Sequence, residues 1–244
     1  MTTIDVIAFD ADDTLWHNET LFTVTQERFR DLLTPYQSTE FIDRTLFATE
    51  MRNLSHFGYG IKGFTLSMIE TAIELTEGRI AGAEIGRILE LGREMLRAPV
   101  ELLEGVAETV AELSQEYDLM VITKGDLFDQ ESKLARSGLG AYFSRIEIVS
   151  EKNRATYETI VRKHGIAPER FLMVGNSIKS DILPVVAIGA RAVHIPYHIT
   201  WEHERVEVTA EHEGGYLRLE HVGELPALVR TLTATTGTAG GSDG

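Results

Sequence analysis

The chain of 244 residues is 43% hydrophobic and 25% charged, the make-up of a globular protein with a sizeable core, which excludes collagenous, low-complexity and disordered classes. Its 23 Lys and Arg against 38 Asp and Glu leave a net charge of −15, which disfavours loose attachment to nucleic acid or anionic membranes. With no cysteine, disulfides, thiolate metal sites and a cysteine nucleophile are excluded, so any metal must be held by oxygen or imidazole.

At roughly 100 to 200 residues per domain, the length allows one large domain or two modest ones. Met1 to Ala8 lack the basic start and long apolar stretch of a signal peptide, and no apolar run approaches about 18 residues, so a soluble cytoplasmic protein is expected. Ile4 to Phe9, β-branched at Ile4, Val6 and Ile7, reads as a buried strand that stops at Asp10-Ala11-Asp12-Asp13-Thr14. From about Trp16 to Ala98 the periods are helical, as in Ile69, Ile73, Thr76 and Ile80, then Ile85, Ile88, Leu89 and Met95. Within that stretch Phe57 to Phe64 reads as a glycine-punctuated loop able to present Tyr59 or Lys62 to a ligand.

From Pro99 onward strand-like runs alternate with helical ones. The strands are Leu119 to Ile122, Ile146 to Val149, Phe171 to Val174 and Ala192 to Ile195. The helices are Val100 to Tyr117, Leu127 to Ser137, Ala155 to His164 and Asp181 to Ile188, the last three each followed by glycine as a stop signal. This alternation argues for an α/β fold, a parallel sheet covered by helices on both faces. Tyr197 to Glu204 contains His198 and His203, five apart rather than the four that places paired ligands on one helical face, so a structural loop with Trp201 packing down is expected. Thr233 to Gly244 holds too little apolar surface to order itself and reads as a frayed tail.

The residues just past each strand carry the chemistry. Strand one ends in Asp10 and Asp12, and strand two in Thr123-Lys124-Gly125. Lys152 comes soon after strand three, and Gly175-Asn176-Ser177 continues strand four, with Asp181 a few residues on. In a parallel sheet these ends share the edge where ligands sit. Two carboxylates roughly 4 Å apart at an effective dielectric near 20 repel by about 4 kcal/mol, so the Asp10 and Asp12 pair takes up a proton or a cation. Asp181 adds a third acid, and an all-oxygen cluster open to water suits Mg²⁺ better than zinc. With an ammonium and a hydroxyl from Lys152 and Thr123 facing the same anion, the set describes a phosphoryl site, where a carboxylate can also act as nucleophile.

Through Asp10-Ala11-Asp12-Asp13-Thr14, Thr123, Lys152, and Gly175-Asn176-Ser177 with Asp181, the sequence resembles the haloacid dehalogenase-like superfamily of hydrolases. The resemblance implies a Rossmann-like three-layer α/β/α core with a parallel sheet, residues 1–16 and 99–232. It further implies an all-helical cap domain, 17–98, ahead of the flexible tail, 233–244. It implies a Mg²⁺-dependent phosphatase acting on a small phosphorylated metabolite, with Asp10 attacking phosphorus to form an aspartyl-phosphate. Asp12 would protonate the leaving oxygen and later deprotonate water. Mg²⁺ would be held by Asp10, the carbonyl of Asp12 and Asp181, with Asn176 acting directly or through water. Thr123 and Lys152 would bind and neutralise the phosphoryl group, and Lys124, Tyr59 and Lys62 are candidate substrate contacts.

The sequence departs from the commonest family pattern at Asp13, where glycine is usual, at Asn176, where a second carboxylate is frequent, and at Lys124, where asparagine is common. Rival readings are a haloacid dehalogenase acting on carbon, which typically lacks the second acid and needs no metal, and a sugar-phosphate mutase, which needs an acceptor site in the cap. A non-enzymatic signalling or phospho-ligand binding module is a further alternative; a receiver module would carry its phosphoacceptor after a middle strand. Neither a nucleic acid nor a membrane partner is expected, and nothing in the sequence specifies an oligomeric state.

Overall fold

The computed structural model describes residues 3–206 and 215–234. Its framework is a parallel sheet of β1 (Val6–Phe9), β2 (Asp118–Lys124), β3 (Arg145–Val149), β4 (Phe171–Gly175), β5 (Arg191–His194) and β6 (Leu217–Arg218), in the order β3-β2-β1-β4-β5-β6. Along β1 the side chains alternate between two faces. Ile7 and Phe9 join Val121, Leu172, Val174 and Val193 beneath α5 (Val106–Leu113), α6 (Leu127–Arg136) and α9 (Leu225–Ala234). Val6 and Ala8 join Met120, Ile122, Phe171 and Met173 against α7 (Arg154–Lys163) and the short α8 (Leu183–Val186). Both faces are covered, which is the three-layer α/β/α architecture expected from the alternation. The sheet order turns at β1, with β2 on one side and β4 on the other. That switch point opens a crevice at the carboxyl ends of the two best-buried strands.

Between β1 and α5 the chain runs through α1 (Glu19–Leu33), α2 (Thr39–Phe57), α3 (Ile61–Leu75) and α4 (Gly82–Arg97), with no strand among them. These helices bury an apolar core of their own, including Phe29, Leu33, Ile42, Leu46, Met68, Ile88 and Met95. Each such side chain contributes about 1.5–3 kcal/mol relative to exposure. The buried stripe lies slightly off the expected one: Ile73 and Leu89 are 45% and 39% exposed, while Met68, Ala72 and Leu91 face inward. The chain leaves and re-enters the sheet layer through adjacent segments, tied by His17 N–H to the Glu101 carbonyl at 3.0 Å and Leu103 N–H to the Leu15 carbonyl at 3.0 Å.

Several expected boundaries move. The helix expected at Val100 to Tyr117 spans only Val106–Leu113, because Gly105 takes a left-handed φ of 77° and Leu102 pairs with Trp16 as a β-bridge. The segment expected as a helix from Asp181 begins earlier, as a π-helical turn over Ile178–Ile182 that runs into α8. The Phe57 to Phe64 loop is shorter than expected, since α2 reaches Phe57 and α3 starts at Ile61. Among the described residues a strand and an α-helix lie past the last expected strand: β6 is two residues long, too short to show a period, whereas the spacing of Leu225, Val229 and Leu232 is the sequence mark of α9. Thr233 and Ala234 complete α9, and the rest of the expected tail lies outside the described residues.

Candidate active site

The carboxyl ends of β1, β2 and β4 gather the expected groups around one buried ammonium. Lys152 Nζ donates to Asp10 Oδ1 at 2.5 Å and to Asp181 Oδ1 at 2.7 Å, with its side chain 1% exposed. Asp10 directly follows β1, and its N–H is fixed to the Val174 carbonyl of β4 at 2.9 Å. Asn153, next to Lys152, caps α7 by accepting from Thr156 N–H at 3.0 Å, which aims the lysine back over the sheet edge. Asp181 Oδ2 accepts from Ser177 N–H at 3.0 Å, and the Asp181 carboxyl packs directly on Gly175, where a Cβ would collide with it. A side chain at the last position of β4 would therefore displace Asp181.

The turn after Asp10 explains a departure from the family pattern. Asp13 has φ 62°, the left-handed region that glycine enters freely and that aspartate is one of the few other residues to tolerate. Its carboxylate accepts from the N–H groups of Asn18 at 2.8 Å and Glu19 at 3.0 Å, tying the turn to the start of α1.

Burial pushes the Asp10 carboxyl up from its ordinary range, opposed by Lys152 and reinforced by Asp181. Burial also works against charge on Lys152, but Asp10 and Asp181 together outweigh it and hold the ammonium protonated. Two carboxylates therefore share one counter-charge. Thr14 Oγ1 lies 3.2 Å from Asp10 Oδ2 and 3.3 Å from Asn176 Oδ1, and its single hydrogen cannot serve both oxygens at once.

Asp12 is gripped by donors that the sequence reading did not single out. Trp16 Nε1 donates to Oδ1 at 2.7 Å, Gln130 Nε2 to Oδ2 at 2.8 Å, and Lys133 Nζ to Oδ1 at 3.0 Å. Burial acts to lower the Lys133 pKa, and Asp12 and Asp129 more than reverse it. Gln130 and Lys133 sit three apart on α6, the helix that starts at this same sheet edge. That spacing on one helical face was the available signal.

Thr123 is 3% exposed at the end of β2 and lines the same cavity, as does Lys124. Lys124 Nζ reaches Glu204 Oε1 at 2.5 Å and Ser180 Oγ at 2.9 Å, and lies 4.4 Å from the centre of the Tyr59 ring. Burial alone would raise the Glu204 pKa; Lys124 and the hydroxyls of Ser177 and Ser180 overcome this and hold it at about 2. Tyr59 hydroxyl donates to Glu151 Oε2 at 2.8 Å. Trp201 does not pack down into the core as expected but lines the cavity, edge-on to Tyr59 at 6.0 Å. Its loop thus closes over the mouth and delivers Glu204, an acid the sequence reading left among structural residues. Lys62 does not line this cavity: it pairs with Asp126 at 2.8 Å in an adjacent groove, half exposed.

The cavity, about 190 Å³, runs from Asp10, Thr123 and Lys152 to Glu19, Glu50 and Asn53 on the helices above. No arginine is among its described lining residues, and its lysines, 124, 133 and 152, are each already ion-paired. An incoming phosphoryl dianion thus meets no uncommitted cation from the protein. Among the described residues no three His, Cys, Asp or Glu side chains converge to hold a metal by themselves. The oxygen set of Asp10, Asp181, Asn176 and the Asp12 carbonyl nevertheless fits a hard divalent cation, which takes few carboxylates and keeps waters.

Residues 4–189 match the family of haloacid dehalogenase-like hydrolases. A glyceraldehyde 3-phosphate phosphatase from Methanothermobacter thermautotrophicus is 36% identical over 100 residues, which span 39% of this chain and 44% of that enzyme. The human glycerol-3-phosphate phosphatase is 24% identical over 78% of each chain. Among solved structures, a haloacid dehalogenase-like hydrolase from Xanthomonas campestris is 43% identical with a TM-score of 0.85, covering 96% of this chain and 94% of its own. The L-2-haloacid dehalogenase from Xanthobacter autotrophicus shares the fold alone, at 16% identity, TM-score 0.63, and coverage of 93% and 99%. The likeness extends across sheet and helices alike, and the chain belongs to the family of haloacid dehalogenase-like hydrolases.

Proposed function

We propose that this hydrolase is a cytoplasmic, Mg²⁺-dependent phosphatase that cleaves a small phosphomonoester through an aspartyl-phosphate on Asp10. The observation that carries the reading is the buried Asp10–Lys152–Asp181 cluster at the β1/β4 crevice, with a second acid, Asp12, held beside it by Trp16, Gln130 and Lys133. A carbon-attacking dehalogenase expels a halide, which leaves no oxygen for Asp12 to protonate. The phosphatase names of two relatives point the same way.

In this reading Asp10 attacks phosphorus, and the bond from phosphorus to the leaving oxygen breaks in line. Asp12 delivers a proton to that oxygen, then takes one from the water that hydrolyses the aspartyl-phosphate and releases inorganic phosphate. Lys152 and the Thr123 hydroxyl hold the phosphoryl oxygens, and Lys152 keeps Asp10 aligned. Asp10, the Asp12 carbonyl, Asp181 and Asn176 would hold Mg²⁺, which when bound supplies positive charge against the phosphoryl oxygens. Residues 17–98 act as a cap over the core formed by 1–16 and 99–232, with Tyr59 and Lys124 closing the mouth and excluding water.

The test is phosphate release from a generic aryl phosphate. Activity should require Mg²⁺, vanish with chelator, and vanish in a folded Asp10→Asn protein. Full turnover without divalent metal, or undiminished turnover in Asp10→Asn, would refute the assignment.

A further inference from the structure

We propose that Glu19, Glu50 and Gln130 select the leaving group: their free acceptor oxygens receive O–H or N–H donors from the substrate's alcohol. On this account the enzyme takes small phosphomonoesters bearing hydroxyl or ammonium groups and turns away those bearing a second anion. The inference rests on the phosphatase reading and deepens it.

Glu19 opens α1 and Glu50 lies on α2, and both line the cavity that also holds Asp10. Neither carboxylate has a hydrogen-bond or ion-pair partner among the described residues. Burial, aided by Asp13 and Glu50, pushes Glu19 up to about 8, and burial pushes Glu50 up to about 7. An independent sign comes from Gln130, which is 4% exposed and lines the same cavity. Its Nε2 donates to Asp12 and to the Lys124 carbonyl, both acceptors, which fixes the amide orientation and leaves Oε1 buried without a partner.

Acceptors removed from water without donors are costly, and the economical resolution is a ligand that brings the donors. Phe22 and Phe64 supply apolar wall for a short carbon skeleton. A second anion would be buried beside Glu19 and Glu50 with no free cation to offset it, because the lining lysines are already paired.

The experiment compares kcat/KM with Mg²⁺ for glycerol 3-phosphate, phosphoethanolamine and phosphoglycolate, with aryl phosphate as the activity control. The hydroxyl- or ammonium-bearing ester should exceed phosphoglycolate by at least about tenfold. Glu19→Gln and Glu50→Gln, which keep shape and replace an acceptor oxygen by a donor amide, should narrow that ratio. A larger loss on phosphoethanolamine than on glycerol phosphate identifies the ammonium as the donor, and equal losses identify hydroxyls. Equal or better turnover of phosphoglycolate by the unaltered enzyme, or a ratio unmoved in both folded variants, would overturn the inference. Failure of aryl phosphate hydrolysis would instead sink the phosphatase reading. Calorimetric binding of the same three esters to the Mg²⁺-loaded Asp10→Asn protein, which does not turn them over, then reads the preference by affinity, and tighter binding of phosphoglycolate rejects it.

Discussion

Replacing Glu204 by Gln tests whether the mouth of the cavity is held by charge. The Glu204 side chain is 14% exposed and accepts from Lys124, Ser177 and Ser180 at 2.5–2.6 Å. Its carboxyl is brought from 4.5 to about 2. A displacement of that size corresponds to about 3 kcal/mol of folding free energy. The folded-state pKa is depressed, so this contribution is complete above the unfolded value near 4.5 and is lost as pH falls toward 2. Glu204→Gln should therefore be less stable by about 3 kcal/mol at neutral pH, and the gap should shrink to about 1 kcal/mol near pH 3. Urea unfolding of both proteins at the two pH values, analysed with a common slope, measures it. A gap under about 1 kcal/mol at neutral pH, or one that persists unchanged in acid, would refute a mouth held by charge.

Lys152→Met should abolish turnover and destabilise the fold by about 3–5 kcal/mol, because it leaves Asp10 and Asp181 facing each other without a counter-charge; a stable, active variant in melting and turnover assays would contradict this. Gly175→Ala should cut kcat/KM by at least about tenfold, since the new methyl lands on the Asp181 carboxyl while the backbone φ needs no glycine; wild-type rates would show that Asp181 can move without consequence. Lys62→Ala removes a half-exposed pair with Asp126, so the unfolding midpoint should change by less than about 1 kcal/mol equivalent.

The sheet and the groups at its edge were legible because both arise from local pattern. A β-branched run ending in polar residues marks a buried strand and its carboxyl end, and parallel pairing then brings Asp10, Thr123, Lys152 and Asp181 together whatever happens between them. The groups that grip Asp12 were less visible. Gln130 and Lys133 look like the solvated face of an amphipathic helix, and only the placement of α6 beneath the β1 turn buries them. Glu204 was harder still, since it is brought to Ser177 and Lys124 by a loop with no regular period. The helical insertion was recognisable as helical, but its buried stripe depends on how four helices pack, which is why Ile73 and Leu89 turn outward.

The position of the cluster within the fold has an energetic reason. Holding Lys152 between two carboxylates in a dry crevice gains little net stability, because the desolvation of three charges offsets most of their attraction. Such an arrangement persists only where the surrounding structure is strongly over-determined. β1 and β4 meet that condition: every side chain of β1 and of β4 up to Val174 is buried, and the two strands pair in register from Val6–Phe171 to Phe9–Val174. Apolar burial on both sheet faces supplies the stability that the charged cluster does not. The same rigidity holds Asp10 in place, whereas the mouth built from Tyr59, Trp201 and Glu204 is held by side-chain hydrogen bonds and charge rather than by sheet pairing.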